Sequence, residues 1–591
     1  MTQRNYDASM LTYLLNSRVS ANFQRRQQYV TNTSNPTQNY PQINPQTSNY
    51  DASTVATAAA GSYTTYSKRA GITVISVPEG ITSFPEAFVD PPIPIDTSVL
   101  YAFDSILTFG AAQNYSPTLM SRFLYVWFAS IVEAWNWVQA TPQLSGVHDD
   151  WDWDIQNSLD YDDSTTWMIL AINAIMPSFV SASYYDYTYL LGRNKQCHGW
   201  TDADMAGATT RIQAAGNWTA WSSAWTTWLA NRATDGSATW KTPTPPPNPP
   251  TAFPNASTYL NTNDTVDPAT FPVPTGWTPL WINAAFVGGI WTGGTKQKYA
   301  TYNWDAVTST CLTAADETAL SGLAAPFFPD ASERQAELAD IVAKTAALTD
   351  LEKVTAEWWA GGPYTVTPPG IFMWFWKNYM TTYGIATTQG IRTFMLSGLQ
   401  ATVGLFEAGR VIWGQKLAYV QSRPIQDIRR LYRGQTLVGY DGLSVSGESW
   451  MPYQEPNFVT PPFPDFTSGH SAYSSVFANT MAQWFGDTIR TDGTVALTDI
   501  RLITPDLSGT QQTQPFGSVV FPSGSSLVQP TVVPAAPTTV AFTTWSSMAE
   551  SAGLSRQYGG IHAQSAHLGS LAIINGTNGL YEKVKNYWNF Y

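Results

Sequence analysis

Long apolar runs with helical periodicity are the feature that most constrains the fold of this chain. The most apolar run, Phe123–Val138, is too short to cross a bilayer and contains Glu133, so it predicts a buried helix and no membrane span. Similar helical patterns recur over residues 97–191, from 332 onwards, and over 371–420, 471–486 and 543–590. The sequence therefore predicts an all-α fold with a helical bundle core.

Polar and proline-rich segments interrupt the helical pattern and suggest how the chain is organised. Residues 1–95 are rich in Asn, Gln, Ser, Thr and Pro, which predicts an extended N-terminal arm without chemistry of its own. Proline-rich stretches predict long loop insertions at about 236–280 and 504–541, with a surface hairpin or loop around 516–542. We expect residues 96–591 to form a single helical domain.

Charge and cysteine usage exclude several classes of partner. The net charge of −13 disfavours nucleic acid and anionic membranes, and two cysteines are too few for a disulfide framework. The N-terminal sequence MTQRNYDASM lacks the features of a secretory signal, so we expect a soluble protein, with its compartment left open. A polar arm of this length would be ordered most easily by neighbouring subunits, which suggests a homo-oligomer.

The first segment with a chemical pattern is WGQKLAYVQSRP, which places Lys416 and Arg423 seven residues apart, before Pro424. At about 100° per residue, this spacing predicts that both side chains lie on one helical stripe and converge on an anion near the helix end. Lys supplies a compact charge and Arg a planar fork that suits tetrahedral oxyanions. Alone, such a pair is more often a solvated basic face.

The second segment is PPFPDFTSGHSAYSSVFANTMAQWF, where a proline-rich loop gives way to a helical pattern at Ser468, Gly469 and His470. Free N–H groups and the helix dipole attract anions at such a start, and glycine permits close approach. The segment therefore predicts a phosphate-like ligand. The alternative is a Ser N-cap followed by a surface histidine.

The third segment, AGLSRQYGGIHAQSAHLGS, contains Arg556 and His562, separated by a double glycine that allows the chain to bend. A neutral imidazole is both a common metal ligand and a nucleophile towards phosphorus, so His562 suits either chemistry. His567 is off the helical i+4 position from His562 and is interpreted as a surface or capping histidine.

In order and spacing, these three segments resemble the vanadium-dependent haloperoxidases and the related acid phosphatases of the type 2 phosphatidic acid phosphatase superfamily. The resemblance extends over about Trp358–His562, including the flanking sequence WWAGGPYTVTPPG. It implies that vanadate is the cofactor, with phosphate as an alternative occupant of the apo site. The implied oxyanion-binding residues are Lys416, Arg423, Ser468, Gly469 and Arg556.

The resemblance also implies roles for two histidines and two aromatic residues. His562 would be the axial vanadium ligand, and His470 would be the acid–base residue that assists peroxide. Trp413 and Phe463 occupy positions that line the halide pocket in haloperoxidases.

Two residues depart from the family pattern. Thr467 replaces the proline that usually precedes Ser-Gly-His, and a threonine can keep the shape of the loop. Ala566 replaces an aspartate that orients the histidine in many members, so the group that fixes His562 must come from elsewhere, such as a backbone carbonyl.

The sequence leaves three functions open. The first is a vanadium-dependent haloperoxidase that oxidises halide with hydrogen peroxide to a hypohalous species. The second is a phosphatase with His562 as nucleophile, and the third is a structural or shell protein that retains the fold. The acidic stretch at 149–163 lacks a calcium-loop spacing and predicts a solvated loop.

Overall fold

The computed structural model describes the chain from residue 94 to 589, apart from several gaps, and one hairpin nearer the N-terminus. The described residues are 63–66, 75–78, 94–138, 161–198, 200–215, 218–237, 276–277, 280–282, 285–287, 290–292, 295–297, 299–363, 365–496 and 513–589. The arm predicted over 1–95 lies outside this set except for the hairpin and residues 94–95. Its role in assembly therefore stays a prediction, as does most of the insertion at 236–280.

Helices form the body of the molecule, as the periodicity predicts. They are α1 Ile95–Ala112, α2 Pro117–Val138, α3 Tyr161–Ile175, α4 Tyr189–His198, α5 Asp202–Ala215, α6 Trp218–Ala233, α7 Ala314–Ala324, α8 Ala331–Ala346, α9 Asp350–Trp358, α10 Thr367–Thr382, α11 Ile385–Thr388, α12 Ile391–Tyr419, α13 Pro424–Leu431, α14 Gly469–Phe485, α15 Trp545–Tyr558, α16 Gln564–Asn575 and α17 Leu580–Tyr587. The all-α prediction is confirmed.

Helix α12 is the central element of the bundle. It has 29 residues, and nearly all of its side chains from Phe394 to Lys416 are buried. It packs against α2 on one side and α14 on another, while α14 in turn packs against α15 and α16. Three motif segments that are distant in sequence therefore meet around the C-terminal end of α12.

The strands are short and form two-stranded antiparallel pairs. They are β1 Tyr63–Tyr66, β2 Ile75–Pro78, β3 Trp281–Ile282, β4 Ala285–Val287, β5 Ile290–Thr292, β6 Thr295–Lys296, β7 Thr436–Val438, β8 Ser444–Ser446, β9 Thr494–Ala496, β10 Thr513–Pro515, β11 Ser518–Phe521 and β12 Thr538–Ala541. The β11–β12 pair is the predicted hairpin, but it is not confined to the surface. Phe516, Val519 and Phe521 are buried in the main core.

Helix α2 is buried as the sequence predicts, and no helix of the described residues is long and apolar enough to span a membrane. The acidic stretch at 149–163 lies outside the described residues up to Tyr161, where α3 begins.

Glu133 of α2 is a carboxylic acid inside the apolar core. Its side chain is 0% exposed, and neither oxygen has a hydrogen-bond partner among the described residues. Burial therefore raises the pKa of Glu133 well above its usual range, because the charged form would lose its hydration and the neighbouring Asn136 side chain offsets only part of that loss.

We expect Glu133→Gln to make stability less dependent on pH. Folding raises the pKa of this carboxyl, so the folded protein binds its proton more tightly than the unfolded chain does. The free energy of unfolding therefore falls as pH rises from the pKa in the unfolded chain to the pKa in the folded protein. The advantage of the variant should grow by at most about 1.4 kcal/mol per pH unit in that window. Denaturant unfolding at pH 4 and pH 8 measures it; a constant difference between variant and wild type would contradict the prediction.

Candidate oxyanion site

Ser468 is the N-cap of helix α14, as predicted from the loop-to-helix change. Its Oγ accepts a hydrogen bond from the Ser471 backbone N–H at 3.3 Å. The first N–H groups of a helix have no carbonyl of their own helix to bind, so Gly469 and His470 present such groups here. This end of α14 is completely buried, with Ser468 0% exposed.

Lys416 fastens the loop that leads into this helix. Its ammonium donates to three backbone carbonyls, those of Pro464 at 2.8 Å, Asp465 at 3.0 Å and Thr467 at 2.5 Å. Burial, together with the nearby Arg423, lowers the pKa of Lys416 well below its usual value. Its three donors are used by the loop, so Lys416 affects the site through its charge and through the position of Ser468.

Arg423 reaches the same place by a different route from the one predicted. Helix α12 ends at Tyr419, Val420 is left-handed, and Arg423 is the N-cap of the next helix, α13. The prediction that Lys416 and Arg423 share one helical stripe is therefore wrong. The turn brings them together, and the Arg423 guanidinium donates to the Phe463 carbonyl at 2.6 Å and the Ile561 carbonyl at 2.9 Å.

Arg556 comes from the last turn of α15, and the chain then bends sharply towards His562. Gly560 makes the bend with a φ of +64°, and a Cβ there would lie 2.9 Å from Pro452. The Arg556 Nη1 donates to the Trp359 carbonyl at 3.2 Å. The flanking sequence WWAGG thus contributes a backbone oxygen to the site.

Arg423 and Arg556 are buried cations that form no ion pair with a carboxylate among the described residues, although Asp465 lies close enough to Arg423 to oppose part of the effect of burial on its pKa. Arg423 Nη2 and the Nε and Nη2 of Arg556 are buried and have no hydrogen-bond partner there. Burial lowers the pKa of Arg423 to about 10 and that of Arg556 to about 9, the latter with a contribution from Arg423. Buried charges are normally paired, so these three unpartnered donors indicate a place for an anion.

His562 is held by a carboxylate that the sequence did not predict for this role. Its Nδ1 lies 2.5 Å from Asp465 Oδ1, and its Nε2 lies 3.1 Å from Arg423 Nη1. A carboxylate and a guanidinium can only accept and donate respectively, so the ring carries its proton on Nδ1 and a lone pair on Nε2. Burial and Arg423 lower the pKa of His562 well below its usual value, which keeps the ring neutral.

Asp465 therefore supplies the orienting group that Ala566 cannot provide. The expectation of a backbone carbonyl in this role is wrong. Burial alone would raise the pKa of Asp465, but Arg334 and His562 outweigh burial and hold it below its usual range. The carboxylate consequently stays ionised beside the histidine.

Arg334 of α8 anchors this carboxylate. Its guanidinium donates to Asp465 at 3.0 Å, to Asp427 at 3.1 Å and to the Ser422 carbonyl at 2.7 Å. One side chain thus ties the Asp465 loop to the residue that precedes Arg423. No motif pointed to Arg334, since a single arginine on a helix carries no recognisable signal.

His470 is buried, which contradicts the alternative of a surface histidine after an N-cap. Its Nε2 donates to the Trp359 carbonyl at 2.7 Å, the same oxygen that Arg556 contacts. Because a carbonyl only accepts, Nδ1 has the lone pair in this tautomer. Burial and Arg556 lower the pKa of His470 well below its usual value, so the ring is a neutral base.

Trp413 and Phe463 form an apolar wall beside the cations. Their ring centroids are 4.7 Å apart, and the Lys416 ammonium and the Arg423 guanidinium lie 5.1 and 4.9 Å from the Phe463 ring. Trp413 also borders Gly469, where a Cβ would lie 3.6 Å from the indole ring. The two aromatic residues therefore adjoin the predicted oxyanion-binding residues.

His567 is not at the surface. It is 4% exposed, and its Nδ1 lies 2.8 Å from Ser471 Oγ, so the prediction of a surface or capping histidine is wrong. An argument from i+4 spacing concerns only neighbours within one helix. It carries no information about the contact that His567 makes with a residue of another helix.

The described residues contain no group of three or more His, Cys, Asp or Glu side chains that could hold a metal ion. The resemblance implies an oxyanion, vanadate, with His562 as its protein ligand, and such a group would not require a cluster of this kind. The unpartnered arginine donors and the Nε2 lone pair of His562 fit such a group.

The comparisons with known proteins agree with this fold. Residues 397–589 match the family model described as the VCPO second helical-bundle domain, the vanadium chloroperoxidase domain. That range contains each motif residue from Lys416 to His562. The resemblance to the vanadium-dependent haloperoxidases is therefore confirmed.

Solved structures show the same fold at low sequence identity. The apo and holo forms of a bacterial vanadium-dependent chloroperoxidase are each 14% identical, with TM-scores of 0.50 and 0.52; they cover 80% of this chain and 95% and 93% of their own. A bacterial vanadium-dependent iodoperoxidase is 17% identical, with a TM-score of 0.52, and covers 84% of this chain and 98% of its own. The curated proteins compared with the chain include no match.

We expect Asp465→Asn to weaken vanadate and phosphate binding on the order of 10- to 100-fold, the usual cost of losing the partner of a ligand histidine. The neutral amide no longer fixes the His562 tautomer. Asp427→Asn is the matched control, because Asp427 also binds Arg334, whereas the carboxylate that accepts from the His562 Nδ1–H is Asp465. Calorimetric titration with each anion measures the effect; equal losses in both variants would show that Asp465 acts only through Arg334.

Proposed function

We propose that the chain is a vanadate-dependent haloperoxidase that oxidises halide with hydrogen peroxide to a hypohalous species. The observation that carries this proposal is the pair of buried guanidinium groups, Arg423 and Arg556, with unpartnered donors beside the Nε2 lone pair of His562. A trigonal or tetrahedral oxyanion would satisfy the donors and compensate the charge.

Each group around this pair has a role that follows from its contacts. When an oxyanion binds, the Arg423 guanidinium would donate to one of its oxygens in place of the His562 Nε2. The Nε2 lone pair would then be available as the ligand. The Gly469 N–H and the Ser468 hydroxyl would bind further oxygens at the start of α14. Lys416 would keep the loop in place and add positive charge. When bound, vanadate supplies a Lewis acid that activates peroxide, and the oxidation state of vanadium does not change.

His470 is suited to accept the proton of hydrogen peroxide. Its Nε2–H is fixed on the Trp359 carbonyl, which leaves Nδ1 unprotonated. Its lowered pKa keeps the ring unprotonated near neutral pH, so that Nδ1 is available to accept a proton. Trp413 and Phe463 would exclude water from the approach of the halide.

A phosphatase of the same superfamily is the second candidate, and the contact between Asp465 and His562 favours it. A carboxylate on Nδ1 makes Nε2 a better nucleophile as well as a better ligand. The same arginine donors would stabilise a phosphoryl transition state.

Reconstitution with vanadate distinguishes the two functions. We expect the vanadate-loaded protein to brominate a cyclic dione when hydrogen peroxide and bromide are both present, and to lose this activity when phosphate displaces vanadate. Hydrolysis of p-nitrophenyl phosphate by the apoprotein is measured in parallel. Hydrolysis without bromination would make the phosphatase the correct function.

Truncating the two histidines separates ligand from acid–base group. We expect His562→Ala to lose bound vanadium, because the protein then lacks the nitrogen ligand. His470→Ala should retain vanadium but lose activity on the order of 10² to 10⁴, the usual contribution of a positioned base. Metal content is measured beside activity, with circular dichroism as the control for folding. Vanadium retained by His562→Ala and lost by His470→Ala would reverse the two roles.

A further inference from the structure

A chain of hydrogen bonds leads from Ser468 away from the oxyanion site. The Ser471 Oγ lies 3.0 Å from the Ser468 Oγ and 2.8 Å from the His567 Nδ1. On its other side, the His567 Nε2 lies 3.5 Å from Glu550 Oε2. Ser468 and Ser471 are 0% exposed, whereas the Glu550 side chain is 52% exposed, so the chain runs from the buried site towards solvent.

Neighbouring residues pack closely around this series of hydrogen bonds. A Cβ at position 553 would lie 2.5 Å from His567 Cε1, 2.6 Å from His567 Nδ1 and 3.2 Å from the Ser471 hydroxyl. Only glycine at 553 therefore leaves room for the contact between His567 and Ser471. Helix α16 fixes the same turn through Ser570, whose Oγ donates to the Ser468 carbonyl at 2.7 Å.

The direction of the hydroxyl chain depends on His567, because each serine hydroxyl has one proton to donate. The Ser471 hydroxyl donates to the Ser468 Oγ in the structure, which its single proton allows only when Nδ1 does not need that proton. If Nδ1 carries no proton, the Ser471 hydroxyl donates to Nδ1 instead, and Ser468 loses this hydrogen bond. If Nδ1 carries a proton, His567 donates to Ser471 and Ser471 donates to Ser468. The Ser468 Oγ then receives two hydrogen bonds from Ser471, so its own proton is free for the oxyanion.

We propose that Glu550, His567 and Ser471 are positioning residues that set the donor direction of the Ser468 hydroxyl and couple oxyanion binding to proton uptake at His567. The proposal rests on the proposed function, since it takes Ser468 to bind the oxyanion. With protons on both ring nitrogens, His567 pairs with the Glu550 carboxylate, so this charged residue of α15 favours the binding direction.

The electrostatics of His567 agree with such a coupling. Burial lowers the pKa of His567, and Glu550, the charged group that faces it, opposes this effect. The neutral ring is therefore the resting form near neutral pH, and the bound anion favours the protonated form through the two hydroxyls. The polar contacts of the His567 ring are with Ser471 and Glu550, whereas those of His562 are with Asp465 and Arg423.

Calorimetry with sulfate tests the proposal, because sulfate is a tetrahedral dianion that does not titrate in this pH range. Binding to the full-length apoprotein is measured at pH 8 in buffers of different ionisation enthalpy, which gives the number of protons taken up. We expect wild type to take up as much as one proton more per sulfate than Ser471→Ala, which removes the link. Ser474→Ala is the matched control, since Ser474 is a buried hydroxyl on the same helix that donates to the Ala549 carbonyl.

Glu550→Gln is the second variant and keeps the test valid if Ser471→Ala does not fold. Its side chain is half exposed, and it should bind sulfate less tightly at pH 8 because protonated His567 loses its counter-charge. Equal proton uptake by wild type and Ser471→Ala, or an unchanged affinity of Glu550→Gln for sulfate, overturns the proposed coupling between His567 and Ser468. A wild-type protein that binds none of sulfate, phosphate and vanadate overturns the proposed function, and this inference with it.

Discussion

The burial of Arg423 and Arg556 without a carboxylate partner is the constraint on which the site depends. Taking a guanidinium out of water costs several kcal/mol unless an opposite charge replaces the lost hydration. Among the described residues, three donor nitrogens of these two arginines have no hydrogen-bond partner, and the pKa of both arginines is lowered. The fold thus keeps buried positive charge that an oxyanion would stabilise, and the bundle must be rigid enough to hold these groups in place.

That rigidity comes from contacts between backbone and charged side chains. Lys416 donates to backbone carbonyls of the loop before Ser468. Arg334 donates both to Asp465 and to a carbonyl of the turn before Arg423. Two cations are therefore structural, and two face the site. This division explains why the two site arginines do not pair with a carboxylate: Asp465, the nearby acid, is already held by Arg334 and His562.

Asp465 shows how one position can replace another in a site built from several segments. The family pattern places the orienting carboxylate four residues after His562, where Ala566 stands. In the structure the carboxylate comes from the loop that also supplies Ser468. Asp465 lies within the motif segment PPFPDFTSGHSA, so the sequence contains it as a candidate once a carboxylate is sought in all three segments. Arg334 lies outside these segments and could not be found in this way.

The sequence by itself determined the helical class, the start of α14 after Ser468 and the bend after Arg556, while the resemblance of its motifs supplied the set of residues that meet. These features depend on local periodicity, capping and glycine, which act over a few residues. Tertiary structure decided what the side chains contact: the turn that places Arg423 beside His562, the Asp465 carboxylate on Nδ1 and the burial of His567 against Ser471. Such contacts join residues about 100 or more positions apart, and local sequence patterns carry no information about which distant helix will pack against them.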